Sequence, residues 1–156
     1  MTPTDHLTVG AEALDLGVLE RKLEDQACGG LACFVGRVRD EHRGRPVLRL
    51  DYEAHPLLAL AEMRSLAMEA RLRWSLGPLL MAHRTGQLRI GDTAVIVGVA
   101  GGHRGECFEA CRFLIEGIKE RVPVWKHEFY ADGSDAWVGA PGWDPAAKDL
   151  ELGRAR

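Results

Sequence analysis

Several features that would place this 156-residue chain in a special class are missing from its sequence. No apolar run is long enough to span a bilayer, and residues 1–17 lack the basic and apolar regions of a secretory signal peptide. The chain contains neither an internal repeat nor a low-complexity segment. We therefore expect a folded protein in the cytoplasm.

The chain also lacks an excess of positive charge. Its 20 Lys and Arg residues are outnumbered by 23 Asp and Glu residues, so the formal net charge is −3 at pH 7. A general nucleic-acid-binding protein normally carries a basic surface. Only the arginine-rich stretch over residues 37–49 supports nucleic-acid binding, which is kept as an alternative.

Cysteine is scarce, and no Cys-x-x-Cys pair occurs among Cys28, Cys33, Cys107 and Cys111. Cys107 and Cys111 lie one helical turn apart and would be able to share a metal ion. They also fall on an apolar stripe, where free cysteine packs as a small hydrophobic residue. We expect core packing, no metal site and, in a reducing cytosol, no disulfide.

The rest of the composition is that of an ordinary globular protein, with 46% hydrophobic and 28% charged residues. We predict one domain over residues 1–139, followed by a loosely structured tail over residues 140–156. Segments with strand and helix periodicity are interleaved, and several strands look hairpin-connected. This order predicts an α+β fold with a mixed or antiparallel sheet rather than a doubly wound parallel one.

Periodicity and punctuation predict the main elements. Apolar residues at steps of three and four predict helices over residues 57–74 and 103–122. The run TAVIVGVA, residues 93–100, is the most strand-like and is predicted to be central. The segment DEHRGRP, residues 40–46, predicts an exposed loop, and RTGQLRIGD, residues 84–92, predicts two glycine-centred turns.

A His-Arg pair lies where the second helix is predicted to begin. Because the helix macrodipole places partial positive charge at this end, His103 and Arg104 are unfavourable there unless an anion binds. The position indicates either an anion site or an exposed arginine that is tolerated at a small cost in stability.

Two further arginines follow a predicted buried strand. On a strand, Arg37 and Arg39 point to the same face, where two guanidinium groups repel unless an anion or a carboxylate lies between them. The anion would be a phosphate-like ligand. Pairing with Asp40 or Glu41 at a solvated strand end is the alternative.

Two lysines flank a turn at Pro123, which ends the helix because proline has no N–H to donate. A chain reversal there would bring the ammonium groups of Lys119 and Lys126 to one rim. Neighbouring ammonium groups disfavour each other's protonated form, so such a lysine can transfer protons, attack a carbonyl or stabilise an oxyanion. Two solvated surface lysines are the alternative.

Helix length constrains how these groups combine. Arg104 and Lys119 are separated by about 22 Å along one helix. One small ligand can hardly contact both in one chain. If both serve one site, the His-Arg end must come from a second subunit, as an isologous dimer would allow.

A set of short motifs occurs in order along residues 31–138. They are FVGRVR (34–39), YEA (52–54), HRTG (83–86), GD (91–92), VGV (97–99), HR (103–104), FEA (108–110) and KERVPVWKHE (119–128). In this order and spacing they resemble the family of catalytic (large) subunits of molybdopterin synthase. Each motif alone is weak evidence, but the combination is specific.

The resemblance implies a fold, an activity and partners. The fold is an α/β hammerhead with an additional antiparallel subdomain. The activity is that of a sulfurtransferase, which converts cyclic pyranopterin monophosphate to the dithiolene molybdopterin. The implied sulfur donor is the C-terminal thiocarboxylate of a small ubiquitin-like carrier subunit, in a heterotetramer built around a homodimer of large subunits. No cofactor or metal is implied for this step.

The resemblance also implies site residues. The implied catalytic residues are Lys119 and Lys126. The implied substrate-binding residues are these two lysines with Arg37, Val38, Arg39, His103, Arg104, His127 and Glu128.

The substrate is a phosphate ester, so the arginines and the helix start have an anion to hold. The lysines would stabilise oxyanions and transfer protons, and Glu128 would orient Lys126. A non-catalytic module that binds a phosphorylated small molecule or a partner's acidic tail is the alternative, because it would need the arginines but neither lysine.

Overall fold

The computed structural model describes residues 4–139, so the predicted tail, residues 140–156, lies outside the described residues. The helices are α1 (Leu16–Glu20), followed by a 3-10 turn (Arg21–Leu23), α2 (Pro56–Arg73) and α3 (Arg104–Arg121). The strands are β1 (Asp5–Gly10), β2 (Gly30–Arg37), β3 (Glu41–His42), β4 (Arg45–Ala54), β5 (Leu76–Arg84), β6 (Gly86–Arg89), β7 (Thr93–Gly101), β8 (Val124–Tyr130) and β9 (Asp135–Val138).

The strands form two sheets. The first has the order β1-β5-β7-β2, in which β1 and β5 are parallel while β5–β7 and β7–β2 are antiparallel. The second has the order β3-β4-β8-β9, with β6 also paired to β4, and all of its pairs are antiparallel. The predicted α+β class, the mixed sheet, the additional antiparallel unit and the central position of β7 are confirmed.

The main core lies between the first sheet and the two long helices. Alternate residues of β5 and β7 point to opposite faces, and both faces are covered. One face packs on α2 and α3, and the other packs on the 3-10 turn through Leu23. This double burial explains why both strands are continuous apolar runs. None of the helices in residues 4–139 is long and apolar enough to cross a membrane.

Helices α2 and α3 touch through a small residue. Gly117 of α3 is buried, and a Cβ added there would lie 2.3 Å from Cδ2 of Leu66 on α2. Leu66 is itself fully buried, so its side chain has no free space to move into. Glycine at this position therefore sets how closely the two helices pack.

Strand β3 corrects the predicted loop, whereas β6 lies in a segment that keeps positive φ at both predicted turn glycines, Gly86 (88°) and Gly91 (87°). Residues 40–46 were predicted to be an exposed loop, but β3 pairs with the start of β4 across Arg43 and Gly44, whose φ angles are 51° and 76°. A type I′ hairpin turn needs positive φ at both central positions. The hairpin was not predicted because the sequence lacks the Asn-Gly or Asp-Gly pair that usually forms such a turn. Residues 84–92 contain β6, whose Leu88 is fully buried in the second core.

Candidate active site

A cavity of about 760 Å³ is lined by residues of both sheets and of α3. Four cationic side chains line it: Arg37, Arg39, Lys119 and Lys126. No acidic residue is among the lining residues of the described chain. A concave site with one sign of charge concentrates ligands of the opposite sign. The cavity is therefore suited to an anionic ligand.

Strand alternation brings the two arginines together. Arg37 is the last residue of β2, and Arg37 and Arg39 line the cavity while Val38 between them is buried in the core of the second sheet. The Val38 backbone is held in place as well, because its N–H donates a hydrogen bond to the Asp92 carbonyl oxygen at 3.0 Å. Within residues 4–139, no ion pair joins Arg37 or Arg39 to an acidic residue, which disfavours pairing with a neighbouring carboxylate.

The turn at Pro123 brings the two lysines to the same cavity. Helix α3 ends at Arg121, and Val122 is extended with ψ of 125°, as expected for a residue that precedes proline. The chain then reverses into β8. Lys119 in the last turn of α3 and Lys126 in β8 both line the cavity, so the predicted convergence of the lysines is confirmed.

A buried carboxylate holds Lys126. Oε1 of Glu128 lies 3.0 Å from Nζ of Lys126, and only 1% of Glu128 is exposed. Its Oε2 accepts hydrogen bonds from Nδ1 of His42 at 2.6 Å and from the Tyr130 hydroxyl at 2.5 Å. Burial alone would raise the pKa of Glu128, but the hydrogen bonds from Tyr130, His42 and Lys126 outweigh it and the pKa is lowered. Glu128 is therefore an anion beneath the cavity wall.

Tyr52 and His83 also line the cavity, although they were not predicted as site residues. Their rings meet edge to face with centroids 5.0 Å apart. Burial raises the pKa of Tyr52 to about 12, and the charge of Glu128 adds to this effect. Both residues lie in motifs that supported the resemblance, YEA and HRTG, but neither motif by itself indicated a role.

His83 presents a neutral ring to the cavity. Burial lowers its pKa, and the hydrogen bond to the Arg84 carbonyl opposes this shift only in part. Nδ1 must carry the proton, because its partner at 2.9 Å is a carbonyl oxygen that can only accept. In the neutral ring, Nε2 is then a hydrogen-bond acceptor. The cavity thus combines cations with an uncharged acceptor.

Strand alternation also removes His127 from the cavity. Its ring lies on the opposite face of β8 from Lys126 and Glu128, between Phe129 at 4.2 Å and Trp137 at 4.4 Å. It also pairs with Asp135. The role of His127 and Val38 in substrate binding stays a prediction, and neither residue lines the cavity.

His103 and Arg104 lie at the opposite end of α3 from Lys119. Both are exposed, and His103, the N-cap residue, makes no side-chain capping hydrogen bond. The 18-residue helix is continuous, so the separation of about 22 Å holds. One chain does not bring this pair to the cavity.

Two of the four cysteines belong to the core. Cys107 and Cys111 are buried on the inner side of α3, and their thiols face the carbonyls of Gly30 at 3.6 Å and Val97 at 3.9 Å. Burial raises the pKa of Cys111 to about 11, so its thiol stays protonated. All four cysteines are free, and no group of three or more His, Cys, Asp or Glu side chains in residues 4–139 is arranged to hold a metal ion.

Comparison with known proteins assigns the family. Residues 9–121 match the family model for the MoaE protein. This chain belongs to the MoaE family. It is also 43% identical over 111 residues to molybdopterin synthase catalytic subunit 1 of Mycobacterium tuberculosis (strain ATCC 25618 / H37Rv), a match that covers 71% of this chain and 75% of that protein.

Solved structures of MoaE relatives have the same fold. The crystal structure of molybdopterin synthase from Staphylococcus aureus superposes with a TM-score of 0.79 at 30% identity, over 84% of this chain and 95% of that one. A complex of subunits 1 and 2 of the molybdopterin-converting factor from Helicobacter pylori 26695 gives a TM-score of 0.67 at 22% identity, over 88% and 90% of the two chains. This second likeness is evidence for the fold alone.

Proposed function

We propose that this MoaE-family chain is the catalytic subunit of a molybdopterin synthase. It converts cyclic pyranopterin monophosphate to molybdopterin, in molybdenum cofactor biosynthesis. The observation that carries the proposal is the cavity in which Arg37, Arg39, Lys119 and Lys126 converge. Its volume is in the usual range for small-molecule sites, and its charge suits a phosphate ester.

The arginines and lysines take different parts in this proposal. Arg37 and Arg39 present planar, permanently charged donors, which bind phosphate oxygens in pairs. They anchor the substrate and leave its reacting carbons facing the lysines.

The two lysines differ in their surroundings. Lys126 is fixed by Glu128, so its ammonium group is preorganised to stabilise an oxyanion as sulfur is transferred. Lys119 is exposed and has no acidic ion-pair partner among residues 4–139, so its side chain is not held away from the reacting atoms. We assign proton transfer to Lys119 and charge stabilisation to Lys126.

The sulfur donor in this proposal is a small ubiquitin-like carrier subunit with a C-terminal thiocarboxylate. The open cavity would admit the extended tail of the carrier, and His103 and Arg104 would be supplied by a second large subunit. We further propose that residues 1–139 form one domain and, since all four thiols are free, that the protein works in the reducing cytoplasm.

The direct test is a single-turnover reaction of the purified chain with thiocarboxylated carrier and cyclic pyranopterin monophosphate. Dithiolene product is expected, and none is expected when the carrier ends in an ordinary carboxylate. If the carrier and the substrate both bind but no product forms, the chain is a binding module and the catalytic proposal is wrong.

A further inference from the structure

The buried Glu128 carboxylate has a partner outside the cavity lining. His42 belongs to the two-residue strand β3, and its Nδ1 lies 2.6 Å from Oε2 of Glu128. A carboxylate can only accept, so Nδ1 donates. Nζ of Lys126 lies 3.0 Å from the other oxygen of the same carboxylate. One buried group thus joins His42 to a cavity lysine.

We propose that His42 is a positioning residue for Lys126 and acts through Glu128. By fixing Oε2, the imidazole sets the rotation of the carboxylate so that Oε1 meets the ammonium group of Lys126 at the cavity wall. The consequence for turnover rests on the proposed function of the cavity. The effect on the position of Lys126 does not.

The geometry explains why the carboxylate needs this second support. The terminal torsion of a glutamate is broad and roughly two-fold, so one hydrogen bond defines it poorly. Without His42, Oε2 would keep only the Tyr130 hydroxyl, at 2.5 Å. A buried carboxylate that loses a donor is under-satisfied and rearranges to recover one. The nearest remaining cation is Lys126, which would be drawn from its place.

The hairpin that carries His42 is itself anchored. Arg45, its first residue after the turn, lies with its guanidinium 3.7 Å from the centre of the Tyr130 ring. It also bonds to Ser134 and lies 3.5 Å from Asp132, in the turn between β8 and β9. These contacts hold His42 against β8, so the imidazole can act as a fixed support.

The test compares three substitutions of His42. In His42→Ala the donor is lost. In His42→Gln the side-chain amide corresponds to Nε2 and points away from Glu128. In His42→Asn the amide nitrogen falls near the position of Nδ1, so the donor is kept. Arg43→Asn is the matched control, because it removes a neighbouring side chain at a left-handed position that asparagine tolerates.

The first readout needs no substrate. The chain has only four lysines, Lys22, Lys119, Lys126 and Lys148, so each side-chain methylene can be resolved by carbon-13 NMR and assigned with a Lys126→Arg variant. The Lys126 signal is expected to move toward that of a mobile lysine in His42→Ala and His42→Gln, and to stay in place in His42→Asn and Arg43→Asn. The Lys22 signal should not move.

The second readout is turnover. His42→Ala and His42→Gln should lower kcat about ten-fold or more, with little change in KM, because a displaced group near the reacting atoms costs rate rather than binding. An unmoved Lys126 signal in both of these variants would overturn the proposal, as would an equal loss in His42→Asn. If the natural protein forms no product, the proposed function fails while the NMR comparison still decides the role of His42.

Discussion

At the scale of single residues, the cavity combines permanently charged arginines, two lysines and a neutral histidine. Arg37 and Arg39 are exposed and have no acidic ion-pair partner in residues 4–139. Lys126 is tied to a buried anion, and His83 offers a neutral acceptor. A phosphate ester with a ring of hydrogen-bonding atoms needs this mixture, since the cations bind its charged end and the neutral acceptor can receive a donor from its uncharged part.

The first prediction concerns the arginines. Arg39→Ala and Arg37→Ala should each raise KM for the phosphorylated substrate by about ten-fold or more, since a hydrogen bond to a charged group contributes roughly 1.5–3 kcal/mol. Steady-state kinetics with saturating carrier measures this effect. Arg64→Ala, which removes an exposed arginine of α2, is the control and should leave KM unchanged. An unchanged KM in both cavity variants would show that the phosphate binds elsewhere.

The second prediction uses the lowered pKa of His83. The folded protein keeps this imidazole neutral below the ordinary pKa of 6.5, whereas the unfolded chain protonates it. The unfolded state therefore binds more protons, and stability falls as the pH drops below about 6.5, by at most about 1.4 kcal/mol per pH unit for one group. Urea unfolding at pH 7.5 and 5.5 should show a smaller loss in His83→Asn than in the natural protein. Parallel losses would contradict a neutral, buried His83.

Residues differ in how far the sequence revealed them. The pairing of Arg37 with Arg39 and of Lys119 with Lys126 followed from strand alternation and from the Pro123 turn. Motif matching took whole segments, so it also included Val38 and His127, which the same alternation points away from the cavity. His42 went unnoticed because its partner Glu128 is 86 residues away, and no local pattern records such a contact.

At the scale of elements, α3 connects the core to the cavity. Its inner face supplies buried residues throughout its length, and its last turn presents Lys119. Gly117 lies only two positions before Lys119, at the contact with Leu66 of α2. The packing of the two helices therefore also sets where this lysine stands.

The third prediction tests that packing. Gly117→Ala should destabilise the protein by about 1–3 kcal/mol, because an added methyl group meets a fully buried leucine. Gly105→Ala, in the exposed first turn of the same helix with open space around it, should instead be neutral or stabilise by about 0.4–1 kcal/mol. Chemical denaturation of both variants gives the comparison. Equal changes in the free energy of unfolding would mean that α2 moves aside at this contact, and they would contradict the prediction.

The long elements and the short terminal strands were predictable, whereas strands β3 and β6 were not. The two long helices and β7 have many periodic positions, and Pro123 defines the end of α3. Strands β3 and β6 have two and four residues, too few for a period to appear, and they exist because β4 offers a free edge for each to pair with. The turn at Arg43 carries arginine where φ is positive, so its residue types did not indicate a hairpin.

At the scale of the whole molecule, the site residues at the two ends of α3 are too far apart for one small ligand to contact both. Arg104 and Lys119 lie on one continuous helix, about 22 Å apart. Their joint action in a single site requires two copies of the chain. The described surface at the start of α3 is exposed, as such an arrangement needs.

The fourth prediction follows from this separation. Arg104→Ala and Lys119→Ala proteins should each be impaired, and a mixture under conditions of subunit exchange should recover part of the activity, because one site of a mixed dimer carries both natural residues. Exchange is confirmed by native mass spectrometry of differently labelled subunits. No recovery despite proven exchange would contradict a site shared between subunits.

The most direct test of the whole account is single-turnover sulfur transfer by the natural protein and Lys119→Ala side by side. The reaction contains thiocarboxylated carrier and cyclic pyranopterin monophosphate, and Lys22→Ala, which is not among the cavity-lining residues, controls for the loss of a lysine. We expect dithiolene product from the natural protein and from Lys22→Ala, and little or none from Lys119→Ala at carrier concentrations that saturate all three proteins. Equal product from Lys119→Ala would contradict the central role of this lysine in the cavity.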